Sequence, residues 1–371
     1  MEVLFTYLFY VFIGAVAINV CYYIFFYGFA FAKAKKNKPS YLPPVSVIVC
    51  SKNEAENLRK NIPHWLAQKY SNFELVLIND ASRDETKDVI EEFAAQHPNI
   101  VQVHVENNEA FWGSKKYALT LGIKKASYEH LLFTDADCYP TSEYWIQEMA
   151  NHFTGKKELI LGYGAYEKIK GSWLNTLIRY ETVLTAMQYY SYAIAGRPYM
   201  GVGRNLAYTT HLFYEQRGFI DHMKVQSGDD DLFVNQAGTK ENTAINFHPD
   251  SVTVSTPKKT FSEWYIQKRR HVSTASHYRF RDKFFLGLFY ISQLLFFVMA
   301  ILMLSIQYKW EWVLGAIGLR YLFSWIAIGV SAHKLKEKDV AFLYPINELF
   351  LLFFQLSIFI TNLISKPNRW K

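Results

Sequence analysis

The sequence predicts an α/β fold that is carried between membrane-spanning helices, and three observations support this. Long apolar runs lie near both ends of the 371-residue chain. Between them, strand-like and helix-like segments alternate, which is typical of a parallel sheet with right-handed crossovers. Polar and acidic side chains follow several of the strands directly, and ligands bind beyond the carboxyl ends of such strands. We therefore expect a membrane protein with one globular, ligand-binding insert.

The composition supports this division of the chain. Half of the residues are hydrophobic and 17% are aromatic, which exceeds the usual content of a soluble domain. The excess lies in the first 32 residues and after Phe284, which leaves a polar middle of roughly 240 residues, enough for one sizeable core. The predicted regions are an N-terminal transmembrane anchor (1–32), a basic linker (33–44), a globular domain (45–282) and a C-terminal region of two to three transmembrane helices (283–371).

The first apolar run is interpreted as an uncleaved anchor. Val3 to Ala32 contains no charged residue and exceeds the ~20 residues that cross a bilayer. The alternative is a cleaved signal peptide, because Ala30-Phe31-Ala32 resembles a cleavage site. Against it, the apolar region is about twice the usual length and follows Glu2 rather than basic residues. Four lysines come next, and by the positive-inside rule they place the globular domain in the cytosol, on the cytoplasmic membrane. They are Lys33, Lys35, Lys36 and Lys38.

Three further apolar runs near the C-terminus are each long enough to span a membrane. The basic loop between the second and third runs favours the cytosol, which would leave the basic C-terminal residues Lys366, Arg369 and Lys371 outside. For this reason, and because Pro345 interrupts the third run, two and three spans both remain open. Arg320 in the second run is interpreted as a side chain that snorkels to the membrane surface, not as one with a buried partner. The runs are Phe284–Tyr308, Trp312–Ala332 and Val340–Ile364.

Charge and cysteine content exclude several classes of protein. The net charge of +7 fits an anionic nucleotide substrate without establishing one, and the lysine run is a topology signal, not a nucleic-acid patch. The three cysteines have no paired spacing for zinc or for a disulfide framework. Neither a Gly-x-Gly-x-x-Gly motif after the first strand nor a Walker motif occurs, so a dinucleotide fold and a P-loop are not supported.

The predicted strands and helices of the globular domain form a βαβαβαβ series. Capping boxes at Asn53/Glu56 and Ser82/Glu85 are expected to begin the first two helices. A third capping box, Thr260/Glu263, predicts a helix from Phe261 to Arg270. The other predicted elements are strands at Val45–Cys50, Phe73–Ile78, Ile100–Val105 and from Leu131, helices through Leu66 and over Ser114–Ala126, and a helix-like stretch at Trp173–Ile194 that is either interfacial or ordinary core.

Acidic residues at the ends of three strands suggest a ligand site. Asp135 and Asp137 follow the fourth strand, and two oxygen ligands at this spacing suit Mg²⁺ or Mn²⁺ that also binds phosphates. The alternative is a solvated turn at the strand end. Glu54 and Asp80 follow the first two strands, and polar groups that converge at one sheet edge make a ligand site the better interpretation. A nucleotide bound through a metal ion fits this arrangement.

Two later segments also carry candidate site residues. Asp229 stands in a run of three aspartates before an apolar helix, where repulsion between carboxylates tunes pKa values and one of them suits the role of a general base. A capped helix start is the alternative. Gln267 and Arg270 lie on one helix face, and an arginine binds phosphate bidentately, although a basic helix against lipid headgroups explains them nearly as well.

Taken together, these motifs resemble the family 2 glycosyltransferases of the GT-A fold. The resemblance covers most of residues 45–277, and several matching motifs in the right order are more specific than any one. The motifs are Val45–Glu54, Ile78–Asp84, Gly113–Leu119, Asp135–Asp137, Ser227–Leu232 and Gln267–His271, the last of which resembles the Gln-x-x-Arg-Trp motif of membrane-bound members.

The resemblance implies a role for each candidate residue. Glu54 and Asp80 would hold the uracil of a nucleotide sugar. Lys115 would lie near the nucleotide, Asp135 would face the ribose and sugar, and Asp137 would bind the Mg²⁺ or Mn²⁺ ion that bridges the diphosphate. Asp229 would be the catalytic base. Gln267 and Arg270 would close over the diphosphate, and Gly203 and Arg204 would lie near the acceptor, although a simple hairpin explains that glycine-rich turn equally well.

We therefore expect a membrane-anchored, inverting glycosyltransferase that uses a nucleotide diphosphate sugar, a UDP-sugar, and a lipid or lipid-linked glycan acceptor. A processive polysaccharide synthase and a catalytically silent membrane scaffold are the alternatives. Departures from the family motifs point to a subgroup whose acceptor differs from that of the cellulose- and chitin-like polymerases. These departures are Asn79, Ala81, Gly228 and His271, which stand where the family has Asp, Gly, Glu and Trp.

Overall fold

The chain forms two compact units, one made of apolar helices and one built on a mixed β-sheet. The computed structural model describes residues 2–34, 42–106, 114–225 and 227–365. The helical unit comprises the described parts of 1–32, 172–191 and 275–366, and the sheet unit the described parts of 33–171 and 192–274. Lys35, Lys36, Lys38, Gly113 and the three C-terminal basic residues, on which some of the predictions above depend, lie outside the described residues.

Four helices within the described ranges are long and apolar enough to cross a membrane. All three C-terminal apolar runs form such helices. These runs are hydrophobic and lack charged residues over long stretches. A helix satisfies its backbone hydrogen bonds internally, as the apolar interior of a bilayer requires. The helices are α1 (Glu2–Ala30), α10 (Phe280–Ser305), α11 (Trp310–Lys334) and α12 (Tyr344–Ile364).

Arg320 does not snorkel, so that interpretation was wrong. Its side chain is fully buried within the helical unit and pairs with Glu348, with an Nη1–Oε2 distance of 2.7 Å. The guanidinium also donates to Asn19 Oδ1 at 3.2 Å and lies 4.4 Å from the Phe296 ring centroid. An arginine inside an apolar helix is favourable only when its charge is compensated, and here a glutamate from another helix compensates it. Tyr23 and Gln293 also donate to Glu348.

The long helix α6 (Trp173–Ile194) belongs largely to the helical unit, whereas the sequence placed it inside the globular domain. Its Arg179 is 1% exposed and binds Glu337 and Asp339, which lie between α11 and α12. The Nε–Glu337 Oε2 distance is 2.8 Å, and Nη2 lies 2.7 Å from Asp339 Oδ1. A bidentate arginine fork on two carboxylates holds the first turns of α6 against this loop.

A seven-stranded sheet forms the centre of the other unit, in the order β3-β2-β1-β4-β8-β6-β9. Its buried strands are rich in Val, Ile and Leu, as parallel strands covered on both faces are. The strands are β1 (Val45–Ser51), β2 (Phe73–Asp80), β3 (Ile100–Val105), β4 (His130–Asp135), β6 (Leu159–Leu161), β8 (Leu206–Thr209) and β9 (Thr243–Ile245). The helices are α2 (Ala55–Leu66), α3 (Thr86–Gln96), α4 (Ser114–Lys125), α5 (Trp145–Ala150), α7 (Thr210–Glu215), α8 (Asp231–Ala237) and α9 (Phe261–Thr274).

The predicted α/β fold is confirmed, but the sheet is mixed. Strands β1 to β4 are mutually parallel, whereas β8 runs antiparallel to β4 and β6. A second sheet, in the order β5-β10-β7, begins three residues after β4 ends. Its strands are only three residues long, too short for a recognisable period in the sequence. They are β5 (Cys138–Pro140), β7 (Gly164–Tyr166) and β10 (Thr253–Ser255).

Two of the three predicted capping boxes are wrong. Asn53 has a positive φ of 55°, and its side chain accepts a hydrogen bond from the Arg83 N–H at 2.8 Å instead of capping α2. The Ser82 hydroxyl likewise accepts from the Asn53 N–H at 3.0 Å. The two loops therefore bind each other. The third box is confirmed, because Thr260 and Glu263 exchange hydrogen bonds at the start of α9.

Candidate active site

The acidic turn Asp135-Ala136-Asp137 lies where the chain leaves the large sheet for the small one. Asp135 ends β4 and pairs in register with Cys50 of β1, which in turn pairs with Ile78 of β2. The buried Asn61 side chain donates to the Ala136 carbonyl at 2.8 Å. An acidic turn with its central carbonyl anchored in this way presents both carboxylates at the carboxyl edge of the sheet.

Asp135, Asp137 and Cys138 lie close enough together to hold a metal ion, since one ligand atom from each falls within 4.8 Å of the others. Burial and the neighbouring charge of Asp135 raise the pKa of Asp137 above its ordinary value. Burial also raises the pKa of the Cys138 thiol, whose sulfur lies 2.9 Å from Ser255 Oγ. The donors that fit a cation are therefore two carboxylates, which suit Mg²⁺ or Mn²⁺.

Lys115 joins this turn to the aspartate run. Its ammonium nitrogen lies 3.2 Å from Asp135 Oδ1 and 2.8 Å from Asp229 Oδ2. Burial alone would lower the pKa of Lys115, but the two carboxylates raise it above the usual value. Burial likewise opposes ionisation of Asp229, but Lys115 outweighs it and lowers the pKa of Asp229. The lysine stays charged and keeps Asp229 ionised.

The neighbouring aspartates have different partners. Asp230 accepts hydrogen bonds from the N–H groups of Gly203 and Asp231, both at 2.7 Å. Burial, together with the charges of Asp229 and Asp231, raises the pKa of Asp230 to about 7. Asp231 is buried and accepts a hydrogen bond from the Thr274 hydroxyl at the end of α9. The three adjacent carboxylates thus have different hydrogen-bond partners, and the pKa of Asp229 is lowered whereas that of Asp230 is raised.

Gly228 explains one departure from the family motif. Its φ is +93°, which an L-residue rarely adopts, and an added Cβ would lie 2.5 Å from Leu232 Cδ1. The glutamate that the family has here does not fit this backbone. The chain turns sharply just before Asp229.

Glu54 lies beyond the end of β1, as the sequence predicts, and Asp80 is the last residue of β2, which extends two residues further than predicted. Asp80 is 3% exposed and its Oδ2 lies 3.5 Å from Lys52 Nζ. Glu54 immediately precedes α2 and accepts a hydrogen bond from Asn57 Nδ2 at 2.5 Å. Its charge is close enough to help raise the pKa of Asp137. Both carboxylates therefore lie at the same sheet edge as the acidic turn.

Gly203 and Arg204 belong to the same group of residues. The Gly203 N–H contacts Asp230, as described above. The Arg204 guanidinium carbon lies 4.1 Å from the Tyr166 ring centroid, and Nη1 donates to Ser255 Oγ at 3.4 Å. Its charge partly counteracts the rise in the pKa of Asp137 that burial and Asp135 cause. This arginine therefore lies on the Asp137 side of the site.

Helix α9 brings Arg270 towards the carboxylates. Burial lowers the pKa of Arg270, and the charges of Asp135, Asp229 and Asp230 partly counteract this. Gln267 is half-buried one turn earlier on the same helix. His271, where the family has Trp, is exposed. The structure thus places every predicted site residue in the sheet unit, and among the described residues the contacts and charge effects given above connect all of them with one another except Asp80 and Gln267.

Sequence reasoning missed three residues that hold this site together. Asn61 and Thr274 fix the acidic turn and Asp231, and Lys116 binds the segment before Asp229. A buried asparagine, threonine or lysine on a helix carries no sequence signal of its partner, because the partners are 75, 43 and more than 100 residues away.

Comparison with known proteins identifies related sequences and folds. The family model "Glycosyl transferase family 2" matches residues 46–210, and the model "Glycosyl transferase family group 2" matches residues 130–358, more than half of the chain. A glycosyltransferase of Haloferax volcanii, AglE, is 32% identical over 118 residues, which are 31% of this chain and 37% of that protein. A poly-beta-1,6-N-acetyl-D-glucosamine synthase of Staphylococcus epidermidis is 33% identical over 102 residues, 28% of this chain and 24% of the synthase. The matches thus span between 24% and 37% of these relatives' length.

Among solved structures, the mannosyltransferase PcManGT from Pyrobaculum calidifontis, in complex with GDP-Man and Mn²⁺, matches with a TM-score of 0.60 at 18% identity. The alignment covers 90% of this chain and 98% of that one. At this identity the likeness shows a common fold.

Proposed function

The chain belongs to the family 2 glycosyltransferases, and on that premise we propose that it transfers a sugar from a nucleotide diphosphate sugar, a UDP-sugar, to a lipid or a lipid-linked glycan. The acceptor hydroxyl attacks the anomeric carbon opposite the diphosphate, so the configuration inverts. The transfer needs a neutralised leaving group and a base for the hydroxyl proton.

One observation carries this proposal: Lys115 bridges Asp135, beside Asp137, and Asp229 at a single sheet edge. The acidic turn suits a cation that binds a diphosphate, and Asp229 is an ionised carboxylate that can accept a proton. The cation-binding turn and the base, both of which glycosyl transfer needs, therefore contact the same lysine side chain. A binding scaffold needs no such pairing of a cation site with a base.

For the metal ion, we assign Asp137 as a ligand for Mg²⁺ or Mn²⁺, with Asp135 beside it facing the ribose and sugar. When bound, the ion would neutralise charge on the leaving diphosphate. The presence of Mn²⁺ and GDP-Man in the PcManGT structure supports a divalent ion. Glu54 and Asp80 are assigned to the nucleotide base, Gln267 and Arg270 to the diphosphate, and Gly203 and Arg204 to the acceptor.

The membrane supplies the acceptor in this proposal. Four apolar helices of spanning length support an integral membrane protein, and the lysines after α1 favour a catalytic domain in the cytosol. A relative from Methanococcus voltae, 28% identical over 116 residues, is named for transfer to a dolichyl-phosphate-linked sugar. Other relatives are named polysaccharide synthases, so polymerisation is the second candidate.

The test is sugar transfer by the full chain in nanodiscs. Purified protein is given UDP- and GDP-sugars with polyprenyl phosphate or a polyprenyl-linked sugar, in Mn²⁺, Mg²⁺ or excess chelator. We expect metal-dependent nucleotide release with one UDP-sugar, and one added sugar per acceptor by mass spectrometry. A ladder of longer products identifies a polymerase. No release from any donor, with the fold intact, refutes the enzyme in favour of a scaffold.

A further inference from the structure

Lys116 is a buried lysine whose ammonium group is fully used. It lies in the first turn of α4, next to Lys115, and is only 2% exposed. Its Nζ donates to the carbonyl oxygens of His222, Val225 and Ser227, at 2.7, 2.9 and 2.8 Å. An ammonium has three donors, so these three contacts satisfy it.

All three acceptors lie just before the aspartate run. Ser227 is followed by the sharp turn at Gly228 and then by Asp229. The two lysines of one helical turn therefore hold the same segment at two points: Lys115 binds the carboxylate of Asp229, and Lys116 binds the backbone that leads to it.

A role in packing alone does not account for this side chain. Burying an ammonium is costly unless every donor is satisfied, and an apolar side chain of the same length would fill the space without that cost. What the ammonium adds is a common anchor for three carbonyls, of which that of His222 also accepts from the Val225 N–H at 3.0 Å. Such an anchor fixes the backbone position from which Asp229 projects.

We propose that Lys116 is a positioning residue for Asp229: it anchors the backbone at His222, Val225 and Ser227 so that the base lies beside Lys115 and Asp135. The inference rests on the proposed function. Lys116 touches no reacting group, so its loss acts on the rate of the chemical step and not on donor affinity.

The test is a double-mutant cycle of Lys116→Met with Asp229→Asn, measured as kcat and donor KM. Alone, Lys116→Met is expected to lower kcat by about 10- to 100-fold, with KM changed less than about twofold. In the Asp229→Asn background it should lower kcat less than about twofold, because a displaced base no longer matters. The exposed Lys124→Met, on the same helix, is the control and should match wild type.

An equal loss in both backgrounds, or a loss confined to KM, overturns the proposal. Lys116→Gln, which keeps two donors, is the second variant if Lys116→Met does not fold, and failure of both to fold assigns Lys116 to the fold alone. If the wild type transfers no sugar, the proposed function fails separately. A structure of Lys116→Met then decides the inference: a displaced Asp229 with α4 in place supports it, and an unmoved Asp229 overturns it.

Discussion

Asp229 and Asp230 are adjacent carboxylates of different character, and their substitution provides the sharpest test of the assigned base. Asp229→Asn is expected to lower kcat by about 10²- to 10⁴-fold, the usual contribution of a general base, with little change in donor affinity. Asp230→Asn should lower kcat by less than about tenfold. It leaves the base in place and takes away only one of the two oxygens that accept from the N–H groups of Gly203 and Asp231.

The pH dependence of kcat gives an independent measure. A base works when ionised, so its activity falls as the pH drops through its pKa. Lys115 lowers the pKa of Asp229, so the wild-type kcat should stay level from pH 8 to pH 5.5. If Asp230 were the base, with a pKa of about 7, kcat at pH 5.5 would be about thirtyfold below its plateau.

The assay is steady-state transfer at saturating donor and metal, in nanodiscs, with circular dichroism to verify folding at each pH. A large loss in Asp230→Asn and a small one in Asp229→Asn would refute the assignment. So would an inflection near pH 7 in the wild type that disappears in Asp230→Asn.

Four further predictions concern the metal ligand, the arginine of α9, the raised pKa of Asp230 and the buried ion pair of the helical unit. Asp137→Asn should abolish turnover and remove the Mn²⁺ dependence of donor binding measured by calorimetry, because a ligand charge is lost. Arg270→Lys should lower kcat/KM by about tenfold or more because lysine lacks the bidentate fork, whereas Arg269→Lys should match wild type. Asp230→Asn should raise the melting temperature by a few degrees at pH 8 and by about a third as much at pH 5: its raised pKa means that ionisation between about pH 4 and 7 progressively destabilises the fold. Arg320→Leu should cost about 3–5 kcal/mol of stability by leaving Glu348 unpaired, and Arg320→Leu with Glu348→Leu should recover most of it.

Each of these has a result that would contradict it. Unchanged Mn²⁺ dependence in Asp137→Asn removes the metal assignment. Equal, near-wild-type rates for the two arginine variants leave α9 as a basic helix against headgroups. A stability gain for Asp230→Asn that is the same at pH 5 and pH 8 excludes charge repulsion as its cause. If Arg320→Leu with Glu348→Leu is no more stable than Arg320→Leu alone, the loss in Arg320→Leu is not caused by an unpaired Glu348.

Elements with a strong apolar pattern could be predicted from the sequence almost to the residue. The predicted strand Ile100–Val105 is observed with the same bounds. The helix predicted to end at Arg270 ends four residues later, at Thr274. Long-range contacts could not be predicted. Asn53 looked like a helix cap, but it instead binds a loop 30 residues later. Arg320 lacked a visible partner because Glu348 comes from the next apolar helix, and a pairing between helices leaves no period in either.

The aspartate run shows why the site's chemistry needs the structure. Three identical residues in a row have identical ordinary pKa values, so their spacing predicts repulsion but not which one gains a proton. The partners decide it. A lysine keeps Asp229 ionised, two backbone N–H groups hold Asp230 without adding a charge, and a threonine hydroxyl occupies Asp231. Lys115 places a full positive charge 2.8 Å from Asp229, so the member of the run that it contacts is ionised. Through Lys115 that member is also connected to Asp135, beside which we propose that the sugar donor lies.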